Sequence, residues 1–149
     1  MYLYKSIYVG AKYEHRNVKL DVELTVNGKS VPIDISRVST IEVDFGYWRK
    51  ANHIHKWFVD NVQEGNDDCK KYYVSADQLN ELLELCREVK VLYEAKEYDK
   101  VSELLPPCEG FFFGGTEVDE YYYQDILDTI GMLEKLSDGD YDFYYQSSW

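Results

Sequence analysis

Residues 18–26, Val-Lys-Leu-Asp-Val-Glu-Leu-Thr-Val, alternate strictly between apolar and polar side chains. Successive side chains of an extended chain point to opposite faces. Val18, Leu20, Val22, Leu24 and Val26 therefore share one face, and Lys19, Asp21, Glu23 and Thr25 the other, as expected of a half-buried antiparallel strand. Asn27-Gly28 follows directly. Both residues tolerate positive φ, so the pair predicts a two-residue hairpin turn. The return strand runs from Ser30 to Ile35, with Val31, Ile33 and Ile35 toward the core. Residues 2–9 are rich in β-formers and predict a further strand. Residues 38–45 alternate less regularly, which predicts a strand with a bulge.

After residue 46 the period changes. Tyr47, Ala51, Ile54, Phe58 and Val62 recur at helical spacing and predict one apolar stripe on a helix over 47–62. The segment 63–68 ends it. Ser75 and Gln78 form a capping box for a helix that buries Leu79, Leu82, Leu83, Cys86, Val89 and Tyr93. A short helix from Tyr98 to Leu105 is stopped by Pro106-Pro107. Thr116 and Asp119 read as a capping pair for a helix over 118–136, with Tyr122, Ile126, Ile130, Leu133 and Leu136 inward. The segment 141–146 reads as a last strand or an aromatic segment packed on the sheet. Strands first and helices afterwards imply an α+β fold. An antiparallel sheet from the N-terminal strands, with or without a C-terminal strand, is packed on one side by three or four helices. The chain of 149 residues fits a single domain over 1–149.

Charge narrows the function. The net charge is −12, from 28 acids and 16 bases. Residues 1–63 hold 9 bases and 7 acids, whereas residues 64–149 hold 7 bases and 21 acids. This balance excludes general nucleic-acid binding, which needs a basic footprint. The three cysteines, Cys69, Cys86 and Cys108, form no close pair, so neither a disulfide framework nor a zinc site is expected. No run is apolar enough to span a membrane, and Met1-Tyr2-Leu3-Tyr4-Lys5 lacks the apolar core of a signal peptide, so none is expected. A reducing cytoplasm is the expected compartment.

Against the acidic background, Tyr47-Trp48-Arg49-Lys50-Ala51-Asn52-His53-Ile54-His55-Lys56-Trp57-Phe58 concentrates cations and indoles. Arg49, His53, Lys56, Trp57 and Asp60 share a face away from the apolar stripe, with Trp48, Asn52, His55 and Val59 between. Such a face can hold a phosphate and stack a base. The same residues also suit a plainer arrangement, with both indoles in the core and the cations on a solvated face. His53 and His55 lie about 200° apart around a helix and make no metal pair. No metal ligand set, cofactor motif or nucleophile motif appears, and no catalytic residue is expected. Phe111-Phe112-Phe113-Gly114-Gly115-Thr116 is an aromatic cluster ending in a glycine turn, which suits a plug or a pocket wall. Asp119, Glu120, Asp125 and Asp128 share the following helix with Tyr121, a combination that can imitate a row of phosphates or serve as a solvated face.

The cationic run, Asp67-Asp68-Cys69, Leu104-Leu105-Pro106 and Gly110-Phe111-Phe112-Phe113-Gly114-Gly115-Thr116 with Asp119-Glu120-Tyr121-Tyr122 together resemble a family of small proteins encoded by tailed bacteriophages. The similarity covers roughly residues 40 to 136. It carries no functional residue with it. It implies a context: an accessory protein in the host cytoplasm, of the kind that blocks host defences by capturing a signalling nucleotide or by occupying a defence protein.

Two functions follow as expectations. In the first, the chain sequesters a small anionic nucleotide-like ligand without catalysis. Arg49 and Lys56 pair with phosphate, Trp48 or Trp57 stacks on the base with Phe113 as a second wall, and Asn52, His53 and Thr116 supply polar contacts. In the second, Asp119, Glu120, Tyr121, Asp125 and Asp128 mimic nucleic acid and inhibit a basic host protein of the CRISPR or restriction type. A virion or assembly role is a third. The tyrosines suit a homodimer.

Overall fold

The structure, a computed structural model, describes residues 1–9, 21–110, 115–136 and 141–148. The described strands are β1 (Tyr2–Tyr8), β2 (Leu24–Val26), β3 (Lys29–Val31), β4 (Thr40–Tyr47), β5 (Tyr72–Val74) and β6 (Tyr141–Gln146). The described helices are α1 (Asn52–Asn61), α2 (Ala76–Glu94), α3 (Tyr98–Leu104) and α4 (Glu120–Leu133). The fold is α+β, as the order of patterns predicts. Four strands form an antiparallel sheet in the order β4-β1-β6-β5.

The two ends of the described chain meet at the middle of this sheet, where Leu3 lies opposite Tyr145 and Tyr4 opposite Tyr144. Alternation then sorts the side chains. Leu3, Phe143, Tyr145 and Val74 are buried on the helix-covered face, and the Tyr145 ring stacks on Phe58 of α1 at 3.9 Å. Tyr2, Tyr4, Tyr144 and Tyr73 take the other face by the same register. There Lys71 lies 4.1 Å above the Tyr4 ring and pairs with Glu42 at 2.6 Å. The expected bulge is present: Leu3 opposes Gly46 and Tyr4 opposes Asp44, which leaves Phe45 as the extra residue of β4.

α2 begins at the predicted capping box. Ser75 Oγ accepts from the Gln78 backbone N–H and the Gln78 side chain accepts from the Ser75 N–H. Leu79, Leu82, Leu83, Cys86 and Val89 are all buried. In this apolar setting burial pushes the Cys86 thiol up to about 12. α4 packs so close to β4 that a Cβ at Gly46 would stand 2.0 Å from Met132 Sδ.

Four expectations need correction. The Asn27-Gly28 turn forms, with φ of 51° and 74°, but its strand covers only Leu24–Val26 of the predicted 18–26 and belongs to a separate two-stranded sheet. Val22, Leu24, Val26, Val31 and Ile33 are 36–51% exposed. Alternation marks a face that could be buried, and no described element covers this one; Val18 and Leu20 lie outside the described residues. Ile35 sits in a 3-10 turn, not a strand. α1 starts at Asn52, because Tyr47 ends β4 and Lys50 takes a left-handed φ of 63° that turns the chain between them. The stripe Ala51, Ile54 and Phe58 is nonetheless fully buried. Finally, the N-cap of α4 is Asp119, whose carboxylate accepts from Tyr122 N–H at 2.9 Å, and Thr116 caps nothing.

Candidate functional site

A cavity of about 300 Å³ opens between the β4–α1 junction and the start of α4. One wall comes from Arg49, Lys50, Asn52 and His53, and the opposite wall from Gly115, Glu117, Asp119, Tyr122 and Asp125, with Tyr121 and Gln124 also on the lining. The left-handed turn at Lys50 swings the chain from the sheet edge into α1, so Arg49 and Lys50 stay exposed beside the opening while Asn52 and His53 are carried inward. Asn52 ties the two walls together: its Nδ2 donates to the Gly115 carbonyl at 3.0 Å, and its Oδ1 accepts from Cys108 N–H at 3.4 Å.

His53 is 2% exposed. Its ring stacks on Tyr122 with centroids 3.9 Å apart and planes at 29°. Nε2 is buried and has no hydrogen-bond partner among the described residues. Burial lowers the imidazole to about 3, with the Asp119 charge acting more weakly in the opposite direction, so the ring is neutral at physiological pH. Asp125 faces the same space. Burial first, then repulsion from Asp128 and Asp119, raises its carboxyl to about 7. Among the described residues nothing donates a hydrogen bond to that carboxylate; its backbone carbonyl accepts from Thr129 Oγ1. Arg49 likewise forms no ion pair among the described residues. A cation, a carboxyl and a neutral imidazole thus border one opening without satisfying one another. The buried His53 nitrogen and the half-buried Asp125 carboxyl are drawn from water without a hydrogen-bond donor or acceptor among the described residues, which costs stability, so a ligand's polar atoms would be stabilised beside them.

Of the ligand-binding residues expected from the sequence, Arg49, Asn52 and His53 meet at this cavity. Trp48 and Trp57 do not. They are 3% and 8% exposed. Trp48 packs on Phe58 and donates its indole N–H to Thr129 Oγ1 at 2.8 Å, and Trp57 packs edge-on against Phe58. Neither indole can stack on a ligand. The reason is that α1 is covered on almost every side, so the face set apart from its apolar stripe is interior too. Lys56 is outside the lining and pairs with Asp60 at 2.6 Å. Thr116 is exposed and its neighbour Gly115 lines the cavity. Phe113 lies outside the described residues. The acids assigned to a mimic surface divide: Asp119 and Asp125 line the cavity, whereas Glu120 and Asp128 are exposed and Tyr121 is 83% exposed.

A second cluster, buried at His55 and Tyr145 and exposed at Asp67, was not foreseen. His55, pointing away from His53, lies 3.0 Å from Asp67 Oδ2 through Nε2 and 2.6 Å from the Tyr145 hydroxyl through Nδ1. A carboxylate only accepts, so Nε2–H is the donor there; in the neutral ring Nδ1 then accepts from the Tyr145 O–H. Tyr145 is fully buried and its phenol is raised well above the usual range, by burial first. The triad ties the loop after α1 to the middle of the sheet. Only Asp67 next to Asp68 in the loop hinted at it, because the three residues are distant in sequence.

No group of three or more His, Cys, Asp or Glu among the described residues could hold a metal ion, and no described helix is long and apolar enough to cross a membrane. Comparison with protein-family models, curated proteins and solved structures finds no match for this chain.

Proposed function

We propose that the protein is a non-catalytic binding module whose cavity between α1 and α4 captures a small anionic, nucleotide-like ligand. The observation that carries this reading is the meeting of three groups at one opening: the exposed Arg49 guanidinium, which forms no ion pair among the described residues, the buried Nε2 of His53, which has no hydrogen-bond partner among them, and the Asp125 carboxyl. Arg49 and Lys50 receive the anionic end, since a guanidinium pairs with phosphate oxygens in a bidentate fork. The expected partners Lys56, Trp48 and Trp57 drop out, and Lys50 and Tyr121 take their places. A volume of about 300 Å³ is at the small end of ligand pockets, matching a mononucleotide or one half of a larger cyclic nucleotide.

Capture needs affinity and stoichiometry only. In a bacteriophage setting, which the sequence resemblance suggests, the protein would act as a counter-defence sponge that removes a signalling nucleotide from the host. The direct test is calorimetry of the folded protein with mononucleotides, cyclic di- and trinucleotides and ADP-ribose, together with mass spectrometry of small molecules released by heating protein purified from cells. Saturable binding weakened about tenfold or more by Arg49→Ala supports capture. No heat with any of these ligands, and nothing released, defeats it.

A second reading rests on the exposure of Glu120, Tyr121 and Asp128 on α4: an acidic surface that occupies a basic host defence protein. It predicts a protein partner in pull-downs, strong weakening by salt, and loss on charge reversal at Glu120 and Asp128, with Arg49→Ala neutral.

A further inference from the structure

The cavity is unusual for an anion site in that its inner wall is acidic. Glu117, Asp119 and Asp125 face Arg49 and Lys50 across it. Asp119 is already engaged, accepting from Tyr122 N–H as the cap of α4. Asp125 is not engaged by any donor among the described residues. A ligand that brought only acceptors to this wall would meet a carboxylate that can accept and never donate once ionised. A ligand that fits must therefore carry its anionic group at one end and hydrogen-bond donors at the other.

Resting on the capture reading above, we propose that the cavity selects a guanine base, with Asp125 as the specificity-determining residue. Among the common bases only guanine offers two adjacent donors on its pairing edge, N1–H and N2–H, and a carboxylate accepts from both at once. Beside them guanine carries the acceptor O6, to which a neutral imidazole can donate through Nε2–H. His53 lines the same space, and its buried Nε2 has no hydrogen-bond partner among the described residues. Adenine and cytosine place an acceptor next to their single amino donor, and uracil flanks its one N–H with two carbonyls. Each would set a lone pair against the carboxylate. The edge then decides which base is held, while Arg49 and Lys50 hold the phosphate.

The experiment is calorimetry at about pH 8, where Asp125 is ionised, with guanosine, adenosine and xanthosine monophosphates and with free arginine. Arginine is included because its guanidinium also carries paired donors. The wild type is expected to bind guanosine monophosphate about tenfold to a hundredfold more tightly than the adenosine or xanthosine compounds, the range of one bidentate base contact. Asp125→Asn is close to isosteric and should lose guanosine monophosphate by a similar factor. It should also gain the xanthosine compound, whose C2 carbonyl accepts from the new amide; a merely structural role for Asp125 would not exchange one base for another. Arg49→Ala should weaken all three nucleotides alike and leave the preference intact. Equal binding of adenosine and guanosine monophosphates by the wild type, an unchanged preference in Asp125→Asn, or arginine binding in place of the nucleotide would each overturn the guanine assignment, and the first two would leave capture standing. Binding of none of these ligands, by protein whose circular dichroism is that of the folded chain, would remove both this assignment and mononucleotide capture.

Discussion

His53 and Asp125 set two titrations of opposite sign around one cavity. The folded state keeps His53 neutral down to about pH 3, whereas an unfolded histidine binds its proton below about pH 6.5. Between those values the unfolded chain holds more protons, so this residue makes stability fall as pH falls. Asp125 works the other way. Its folded carboxyl keeps a proton up to about pH 7, and an unfolded aspartate releases it above about pH 3.9, so its contribution makes stability fall as pH rises through that window. In the wild type the two slopes partly cancel between about pH 4 and 6.5. Asp125→Asn removes one of them. The variant should be more stable than the wild type at about pH 7.5 by roughly 1–2 kcal/mol, after discounting for the solvent that reaches a half-buried carboxyl. Its stability should also climb with pH where the wild type is nearly flat. Urea denaturation across a pH series measures both effects. A variant curve parallel to the wild type would mean that Asp125 is as well solvated in the fold as in the unfolded chain.

At the scale of elements, α4 approaches β4 closely at one glycine. Gly46 lies opposite Leu3 in the sheet, and Met132 fills the space where its side chain would be. Gly46→Ala would drive a methyl to 2.0 Å from Met132 Sδ. Methionine is flexible, so the strain is limited, but its rotation spoils packing elsewhere; the expected loss is about 1–3 kcal/mol. Met132→Ala in the same background should restore part of it, so that the double variant loses less than the two single losses added together. Chemical denaturation of the four proteins in this cycle decides the point, and strict additivity would show that the two residues do not share the space. The contact was not legible in advance, because nothing in the glycine or the methionine marks the other. What was legible is what is local. The capping box of α2, its five buried apolar positions and the hairpin turn at Asn27-Gly28 depend on residues within a few positions of one another. β5 escaped because three residues are too few to display a period. The start of α1 was misplaced because Tyr47 happens to sit at helical spacing from Ala51, while a left-handed residue at 50 separates them. Half of the cavity was legible in Arg49, Asn52 and His53 as a cationic, polar run. Its acidic half was assigned to an outer surface, since the meeting of residue 49 with residue 125 is a product of tertiary folding.

At the scale of the whole molecule, the sheet joins segments from the two ends of the described chain. β6 lies between β1 and β5, and its Phe143 and Tyr145 are buried against β4 and α1 through Phe45, Trp48 and Phe58. The pairing of β1 with β6 spans more than 130 residues, as the register of Tyr4 with Tyr144 illustrates. Such a topology cannot be completed until the last strand is present, and it predicts slow, cooperative folding compared with a helical bundle of the same length. The β2–β3 hairpin is the opposite case: its apolar side chains are exposed, and it pairs only with itself among the described residues. Two deletions of similar size should then behave very differently. A chain ending at Leu136 loses the central strand and should show neither a near-ultraviolet tyrosine and tryptophan signal nor a cooperative thermal transition. Replacing residues 23–32 with a short glycine–serine linker should cost no more than about 1 kcal/mol, a shift of roughly 2–4 °C for a domain of this size. Thermal melts followed in the far and near ultraviolet test both. If the hairpin deletion abolished the transition, those exposed valines and leucines would belong to the cooperative core, and the separation of the small sheet from the large one would be wrong.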